Sequence, residues 1–134
     1  MTPILTGLSI LIVDDEEDAR EMLQEALGVW GGDVHAVSSA DRARCVLATQ
    51  TPHVIVSDLG MPDEDGITFI RRLRGLSDVL KAHIPAVALS AFSSLGWKRR
   101  AITSGFDAYL ITPAEPWILA QLLREMADTA SLRS

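Results

Sequence analysis

Acidic and hydroxyl side chains follow four hydrophobic segments of this 134-residue chain, and they are the residues best suited to chemistry. In chain order they are Asp14 with Asp15, Asp58, Ser90 with Ala91, and Thr112 with Pro113. If the four segments are parallel strands of one sheet, their carboxyl ends lie at the same edge, where ligands of such sheets bind. Three carboxylates and two hydroxyls would then converge on one site.

A cluster of three carboxylates needs a compensating cation. Two carboxylates about 4 Å apart repel by roughly 4 kcal/mol at an effective dielectric near 20. Mg²⁺ suits the site because it binds one or two carboxylates and keeps several waters, which leaves positions for a phosphoryl oxygen. An aspartate beside Mg²⁺ can attack phosphorus, and Asp58, alone at its strand end, is the candidate nucleophile. The three histidines are scattered and offer no zinc-type spacing.

Hydrophobic periodicity predicts the elements that position these residues. Short apolar runs predict five strands over residues 8–13, 34–37, 54–57, 85–89 and 108–111. Helical spacing predicts five helices over residues 19–30, 40–49, 66–76, 93–104 and 116–126. The inner stripe of the first would include Met22, Leu23 and Leu27, and the last would face inward through Ile118, Leu119, Leu122 and Met126. Gly31 and Gly105 follow the first and fourth helices as terminators. Strands that alternate with helices imply a parallel sheet covered on both faces.

Length and composition predict a single domain over residues 1–134, with its core at about residues 8–127 and a short flexible tail from residue 130. The net charge of −6 and the lack of a long basic run argue against direct nucleic-acid binding. No apolar run approaches the roughly 18 residues of a membrane span, and no signal peptide is evident, so a cytoplasmic protein is expected. Cys45 is the sole cysteine, which fits a reducing compartment, and we expect its side chain to be buried or half-buried.

The motifs resemble a known family in their order and spacing. Asp14-Asp15, the segment Asp-Leu-Gly-Met-Pro-Asp-Glu-Asp-Gly at 58–66, Ser90-Ala91 and Tyr109 are similar to those of bacterial response-regulator receiver domains. The resemblance covers nearly the whole chain. It implies a flavodoxin-like (βα)5 fold with strand order 2-1-3-4-5, acting in a two-component phosphorelay. It also implies that the chain is not a turnover enzyme.

The same resemblance assigns the metal and acceptor residues. Asp58 would accept a phosphoryl group from a phosphohistidine. Asp15, Asp58 and the backbone carbonyl of Gly60 would bind Mg²⁺, with Asp14 contributing through water.

It also assigns a phosphoryl sensor. The hydroxyl of Ser90 and the backbone amide of Ala91 would contact the phosphoryl group, and Tyr109 would turn from an outer to an inner rotamer. Packing of Tyr109 at the sheet edge is the alternative for that residue. Thr112 stands where the family places a lysine, which puts the coupling in doubt more than metal binding. Thr112–Pro113 should be a cis peptide if the family's loop is kept.

Partners follow from the resemblance. A histidine kinase or histidine phosphotransfer protein would dock near the first helix and the loop at 113–116. A homodimer or an output partner would use the fourth helix, the fifth strand and the last helix, where Trp97, Lys98, Arg99, Arg100 and Trp117 lie. The chain could be a stand-alone receiver or part of a hybrid kinase.

Two other functions could also account for the acids at the strand ends. A phosphatase of the haloacid dehalogenase type also uses a strand-end aspartate with Mg²⁺, but it needs a second aspartate two residues later, where this chain has Gly60. A pseudo-receiver, which keeps the fold and signals without phosphate, is the more serious rival because of Thr112. The acidic cluster argues against it, because a module without phosphoryl chemistry has no reason to hold three repelling carboxylates together.

Overall fold

A computed structural model describes residues 2–132 of the chain and shows one five-stranded parallel sheet in the order β2-β1-β3-β4-β5. The strands are β1 Ser9–Val13, β2 Asp33–Val37, β3 Val54–Asp58, β4 Ala86–Ser90 and β5 Ala108–Ile111. The helices are α1 Glu17–Val29, α2 Ala40–Thr49, α3 Gly66–Arg74, α4 Val79–Ala82, α5 Leu95–Ser104 and α6 Pro116–Ser131. The strand order and the flavodoxin-like architecture are as predicted.

The sheet separates two hydrophobic cores, one on each face. On one face, residues of α2, α3 and α5 pack together, with the ring of Phe69 at the centre. On the other face, α1 and α6 cover the sheet through residues such as Leu27 and Leu123. The central strands are buried on both sides because side chains alternate between these two cores. The described part of the chain contains no helix that is both long and apolar enough to cross a bilayer.

The prediction of five helices was incomplete, because the segment after α3 contains the additional one-turn helix α4. The Asp78 side chain caps this turn by accepting hydrogen bonds from the backbone N–H groups of Leu80 and Lys81. A single turn has no hydrophobic periodicity to read, so the pattern could not reveal it. Helix α3 accordingly ends at Arg74, two residues before its predicted end.

Helix α6 is longer than predicted. It continues to Ser131, so residues 130 and 131, expected in a flexible tail, are helical, while residues 133 and 134 lie outside the described range. Its inward face was partly wrong. Ile118 is 52% exposed, whereas Leu119 is fully buried and Leu122 and Met126 are half-buried. The helix rests on the sheet through a stripe rotated slightly from the predicted one.

Three other burial expectations also differ from the structure. Cys45 is exposed on α2, so the expectation that it is buried or half-buried was wrong. Met22, placed on the inner stripe of the first helix, is 48% exposed. Leu5, which precedes the expected start of the core, is fully buried, and its N–H bonds the carbonyl of Trp30 at 2.8 Å. The N-terminal segment therefore closes the end of the sheet opposite the acidic residues.

Arg74 ties three segments together at that end of the sheet. Its guanidinium donates hydrogen bonds to the carbonyls of Gly105, Ala82 and Ile84 at 2.9, 3.1 and 2.6 Å. It also pairs with Asp107 at 3.0 Å. Burial lowers the pKa of Arg74, and the charge of Asp107 opposes that effect. The last residue of α3 thus fixes the starts of β4 and β5.

Replacing Arg74 by alanine should lower the free energy of unfolding by about 2 to 4 kcal/mol, because several buried carbonyls and Asp107 lose their donor. Urea denaturation measures the change. Arg71→Ala is the matched control, since Arg71 is an exposed arginine of the same helix, and its effect should stay below about 0.5 kcal/mol. Equal losses in the two variants would show that the Arg74 contacts contribute little.

Candidate functional site

The three predicted carboxylates come together at the carboxyl end of the sheet. Asp14 and Asp15 directly follow β1, and Asp58 is the last residue of β3. These strands are neighbours, with Val13 paired to Ser57, so their ends lie side by side. One carboxylate oxygen from each aspartate lies within 4.8 Å of the others. The predicted convergence of acids is therefore present.

Asp14 is the most buried of the three, with 8% of its surface exposed. Its Oδ1 accepts a hydrogen bond from the backbone N–H of Glu16 at 2.9 Å. Burial, and then the charges of Asp58, Asp15 and Glu16, raise the pKa of Asp14 from 3.8 to about 6. Near neutral pH the site therefore holds negative charge that the surrounding protein does not compensate.

Asp58 is half-buried and lies in the same negative electrostatic field as Asp14. Burial, together with the charge of Asp15, raises its pKa, and the N–H of Gly60, which donates to Asp58 Oδ1 at 3.2 Å, works in the opposite direction. The buried hydroxyl of Ser57 donates to the carbonyl of Asp58 at 3.0 Å. Ser57 thus holds the backbone carbonyl of Asp58, and Gly60 holds its carboxylate.

The loop after Asp58 is packed tightly against its strand. A methyl group on Gly66 would lie 2.5 Å from the Asp58 carbonyl oxygen and 2.9 Å from the Leu59 Cα, so only glycine allows this approach. Two of the three acids in this loop, Glu64 and Asp65, have structural partners. Glu64 accepts two hydrogen bonds from Arg44, at 2.7 and 2.9 Å, and one from Arg72 at 2.6 Å. Asp65 caps α3 by accepting from the Thr68 N–H at 2.7 Å.

A cleft of about 570 Å³ opens over the acidic cluster. Its walls come from α1, the β4–α5 loop and the β5–α6 loop. Asp14, Glu16 and Asp58 are its charged lining, and no basic side chain lines it within residues 2–132. Lys98 and Arg99 of α5 are not among the residues that line the cleft, so neither takes the place of the missing lysine there.

Ser90 and Ala91 line the same cleft at the end of β4. Ser90 is buried, and its Oγ accepts a hydrogen bond from the backbone N–H of Phe92 at 3.0 Å. Tyr109, from the adjacent strand β5, is half-buried against the core, and its hydroxyl donates to the carbonyl of Phe92. The hydroxyls of Ser90 and Tyr109 thus bind the two sides of one peptide segment.

Thr112 is half-buried at the cleft wall, and its backbone N–H donates to the Ser90 carbonyl at 2.8 Å. The Thr112–Pro113 peptide is cis, as predicted. The structure therefore brings Asp14, Asp15 and Asp58 together and places Gly60, Ser90, Ala91 and Thr112 on the same cleft. Tyr109 reaches that group through Phe92, which sequence reasoning overlooked although it directly follows Ser90-Ala91.

A sequence model described as the response regulator receiver domain matches residues 10–124. The chain belongs to this family. The match begins at the second residue of β1, spans the other four strands in full and includes all the residues of the cleft. The strand-end aspartates Asp14, Asp15 and Asp58 all lie within the matched residues of this receiver domain.

Proteins of similar sequence support the family assignment. The receiver domain is 41% identical over 105 residues to the KDP operon transcriptional regulatory protein KdpE of Escherichia coli, covering 78% of this chain and 44% of KdpE. It is 35% identical over 121 residues to an uncharacterized 14.6 kDa protein of Leptolyngbya boryana, covering 90% and 91% of the two chains. The chain thus spans about half the length of regulators such as KdpE and most of the small cyanobacterial protein.

Solved structures agree with the assignment to the receiver-domain family. The receiver domain of the Francisella response regulator 1452 superimposes with a TM-score of 0.84 at 25% identity, covering 92% of this chain and 99% of the other. The receiver domain of a histidine kinase from Syntrophus aciditrophicus does so with a TM-score of 0.83 at 28% identity, covering 92% of each chain. Receiver domains from separate regulators and from kinases are therefore both similar to this chain.

Asp14 gives a stability prediction with a definite sign. Its folded pKa of about 6 exceeds the ordinary value of 3.8, so the folded chain binds this proton more tightly than the unfolded chain. Stability should therefore fall as pH rises from about 4 through about 6. One pKa unit corresponds to about 1.4 kcal/mol, so Asp14→Asn should stabilise the metal-free receiver by on the order of 2 to 3 kcal/mol near pH 7.5.

Urea denaturation with a chelator present, near pH 7.5 and again near pH 4, measures this effect. Most of the stabilisation by Asp14→Asn should disappear at the lower pH, where the aspartate is protonated in the folded chain and about half protonated in the unfolded chain. Glu21→Gln, an exposed change on α1, should show neither the gain nor its loss. A destabilised Asp14→Asn variant at the higher pH would mean that the cluster does not strain the fold.

Proposed function

We propose that this receiver domain accepts a phosphoryl group on Asp58 from a phosphohistidine of a histidine kinase or histidine phosphotransfer protein, in the cytoplasm, and then changes its output face. The observation that carries the proposal is the group of three carboxylates within 4.8 Å at the ends of adjacent strands. Burial, together with the charges of the neighbouring acids, raises the pKa of Asp14 and Asp58, which is an electrostatic cost to the fold without a ligand. A site that gains from binding a cation explains why the fold carries it.

The donor set fits Mg²⁺. The candidate ligands are all oxygens, and the cleft beside them leaves room for water and a phosphoryl group. Asp15, Asp58 and the backbone carbonyl of Gly60 would hold the ion directly, and Asp14 would hold it through water. Bound there, Mg²⁺ would neutralise carboxylate charge and the charge of the incoming phosphoryl oxygens.

Asp58 then acts as the nucleophile. One oxygen of its ionised carboxylate forms a bond to phosphorus while the bond from phosphorus to the donor imidazole nitrogen breaks, and that nitrogen keeps the electron pair. The Gly60 N–H, which already donates to Asp58 Oδ1, orients the carboxylate. Hydrolysis later returns the free carboxylate, so each cycle needs a new donor and the chain is not a turnover enzyme.

Ser90 and Ala91 would sense the product. The Ser90 hydroxyl accepts from the Phe92 N–H in this structure, so its own proton is available to a phosphoryl oxygen across the cleft. The exposed Ala91 backbone amide would be a second donor. The hydrogen bond between the Tyr109 hydroxyl and the Phe92 carbonyl would be remade as the loop moves.

Two surfaces suit the partners. Met22 on α1 and Pro113 in the β5–α6 loop flank the cleft, and the donor would dock there. Ile111 and Ile118 expose about half of their surfaces on β5 and α6, which suits a homodimer or an output partner. Trp117 belongs to this face only in part, because its ring packs edge-on against Trp30 with centroids 5.1 Å apart.

A pseudo-receiver function is the second candidate, and the cleft gives it a specific observation. Thr112 lines the cleft, and no described residue supplies a cation there. A charge-assisted hydrogen bond contributes about 1.5 to 3 kcal/mol, so its loss would weaken the phosphoryl-dependent response. In this alternative, wild type and Asp58→Asn bind a partner equally well, with or without a phosphodonor.

Intact mass spectrometry after incubation with acetyl phosphate and Mg²⁺ tests the proposed function. We expect one added phosphoryl group on the wild type, none on Asp58→Asn, and none when a chelator removes the metal. Asp63→Asn is the matched control, because it removes an acid from the same loop and should leave the adduct intact. The absence of an adduct on the wild type, beside a labelled control receiver, would contradict the proposal. Sustained hydrolysis of a generic phosphate monoester would instead indicate an enzyme.

Thr112→Lys should restore an ammonium group to the cleft. We expect weaker Mg²⁺ binding, because a cation beside the acids competes with the metal. At saturating Mg²⁺ we expect the phosphoryl mimic beryllofluoride to bind about tenfold to hundredfold more tightly, which corresponds to about one charge-assisted hydrogen bond. Isothermal titration calorimetry measures both affinities. Thr112→Met lengthens the side chain without a charge and should reproduce neither change. Identical behaviour of the two variants would rule out a role for charge at this position.

A further inference from the structure

Phe92 occupies a central place in the loop between β4 and α5. Its backbone N–H donates to Ser90 Oγ, and its carbonyl accepts from the Tyr109 hydroxyl. Both polar groups of one peptide segment are therefore bound to residues already assigned to phosphoryl sensing. A displacement of the Ser90 side chain or of this loop toward Asp58 must carry Phe92 along or break these bonds.

The ring of Phe92 connects the same loop to helix α5. It stacks on Trp97 with centroids 4.8 Å apart and an interplanar angle of 15°. The guanidinium carbon of Arg100 lies 5.3 Å from the centroid of a Trp97 ring, a cation–π arrangement. Trp97 itself packs partly against the core beside Tyr109. The loop thus contacts α5 through a defined aromatic pair.

Burial alone does not account for this placement. Phe92 exposes 45% of its surface, so the ring is poorly sheltered from water and adds little to the hydrophobic core. Its contacts are directional: two backbone hydrogen bonds and one near-parallel stack. Such contacts define a position more than they contribute to overall stability.

We propose that the position of the Ser90 loop in this structure is the resting one and that Phe92 is a positioning residue that holds the loop there by stacking on Trp97, so that a phosphoryl group on Asp58 displaces this stack. The inference rests on the proposed function of Asp58. It adds a link from the phosphoryl sensor to α5 that runs through the aromatic pair. Because the stack favours the resting position, removing it should make binding of a phosphoryl group at Asp58 easier.

The size of the effect follows from the contact. An aromatic pair in this geometry shifts an equilibrium between two loop positions by about two- to tenfold. Only a ligand that binds the displaced position better can move the loop, and its affinity rises when the resting position loses this stabilisation. A purely structural role would change the melting temperature without tightening the binding of such a ligand.

Beryllofluoride with Mg²⁺, titrated into the full chain, is the probe. Fluorine NMR counts bound beryllofluoride and gives its affinity, while tryptophan fluorescence follows the stack. Phe92→Leu removes the aromatic ring and keeps an apolar side chain, and Phe92→Tyr keeps the ring. Trp97→Leu removes the stack from the other side, which provides a second variant if Phe92→Leu does not fold. Trp97→Phe identifies the part of the fluorescence change that comes from Trp97, because Trp30 and Trp117 also emit.

We expect beryllofluoride to change the Trp97 emission of the wild type. Phe92→Leu and Trp97→Leu should each bind the probe about two- to tenfold more tightly, and the double variant should gain no more than either alone. Phe92→Tyr should return to the wild-type affinity and emission change. Unchanged or weaker affinity in both leucine variants, with normal binding by the wild type, overturns this inference alone. Failure of the wild type to bind beryllofluoride at all overturns the proposed function and this inference with it.

Discussion

Mutual repulsion among Asp14, Asp15 and Asp58 is the constraint on which this end of the molecule depends. The sheet imposes it, because β1 and β3 are neighbours in register and each ends in acid. The raised pKa values of Asp14 and Asp58 show that the surrounding backbone donors only partly offset the burial of these groups. Repulsion of this kind persists where the rest of the fold is stable enough to tolerate it. A cation that relieves the repulsion gains free energy of binding from it.

The remaining contacts near the cluster serve to keep its geometry. Gly66 allows α3 to begin directly against the Asp58 carbonyl, and Glu64 anchors the intervening loop to α2 and α3 through Arg44 and Arg72. The loop's acids therefore have different tasks despite being adjacent in sequence: Glu64 forms ion pairs and Asp65 caps a helix. At the opposite end of the sheet, Arg74 joins the starts of β4 and β5. The loop that follows Asp58 is fixed to α2 and α3 by ion pairs.

Sequence reasoning succeeded where the physical signal is strong and local. Continuous apolar runs define the buried strands, and residues at the ends of parallel strands must meet, which is why the acidic cluster could be predicted. It failed for α4, whose single turn is fixed by the Asp78 cap, and for Ile118 and Met22, whose exposure depends on a small rotation of each helix on the sheet. Cys45 is exposed because it lies on the outer side of α2, between the buried Ala43 and Val46, and residue type alone did not indicate that side. The Phe92–Trp97 stack could not be read from spacing, because it joins a loop residue to a helix through a turn of unknown shape.

The lack of a basic side chain in the cleft and the Phe92–Trp97 stack affect the same quantity, the position of the β4–α5 loop. A phosphoryl group brings about one and a half to two negative charges, and with Thr112 in the lysine position the metal and neutral donors must balance them. Each neutral hydrogen bond from Ser90 or Ala91 contributes about 1 kcal/mol, which is comparable with the worth of one aromatic pair. The forces that draw the loop inward and those that keep it on Trp97 are therefore of similar size. If Asp58 carries a phosphoryl group, the two loop positions lie close in free energy, so a partner that favours one of them decides the population as much as the phosphoryl group does.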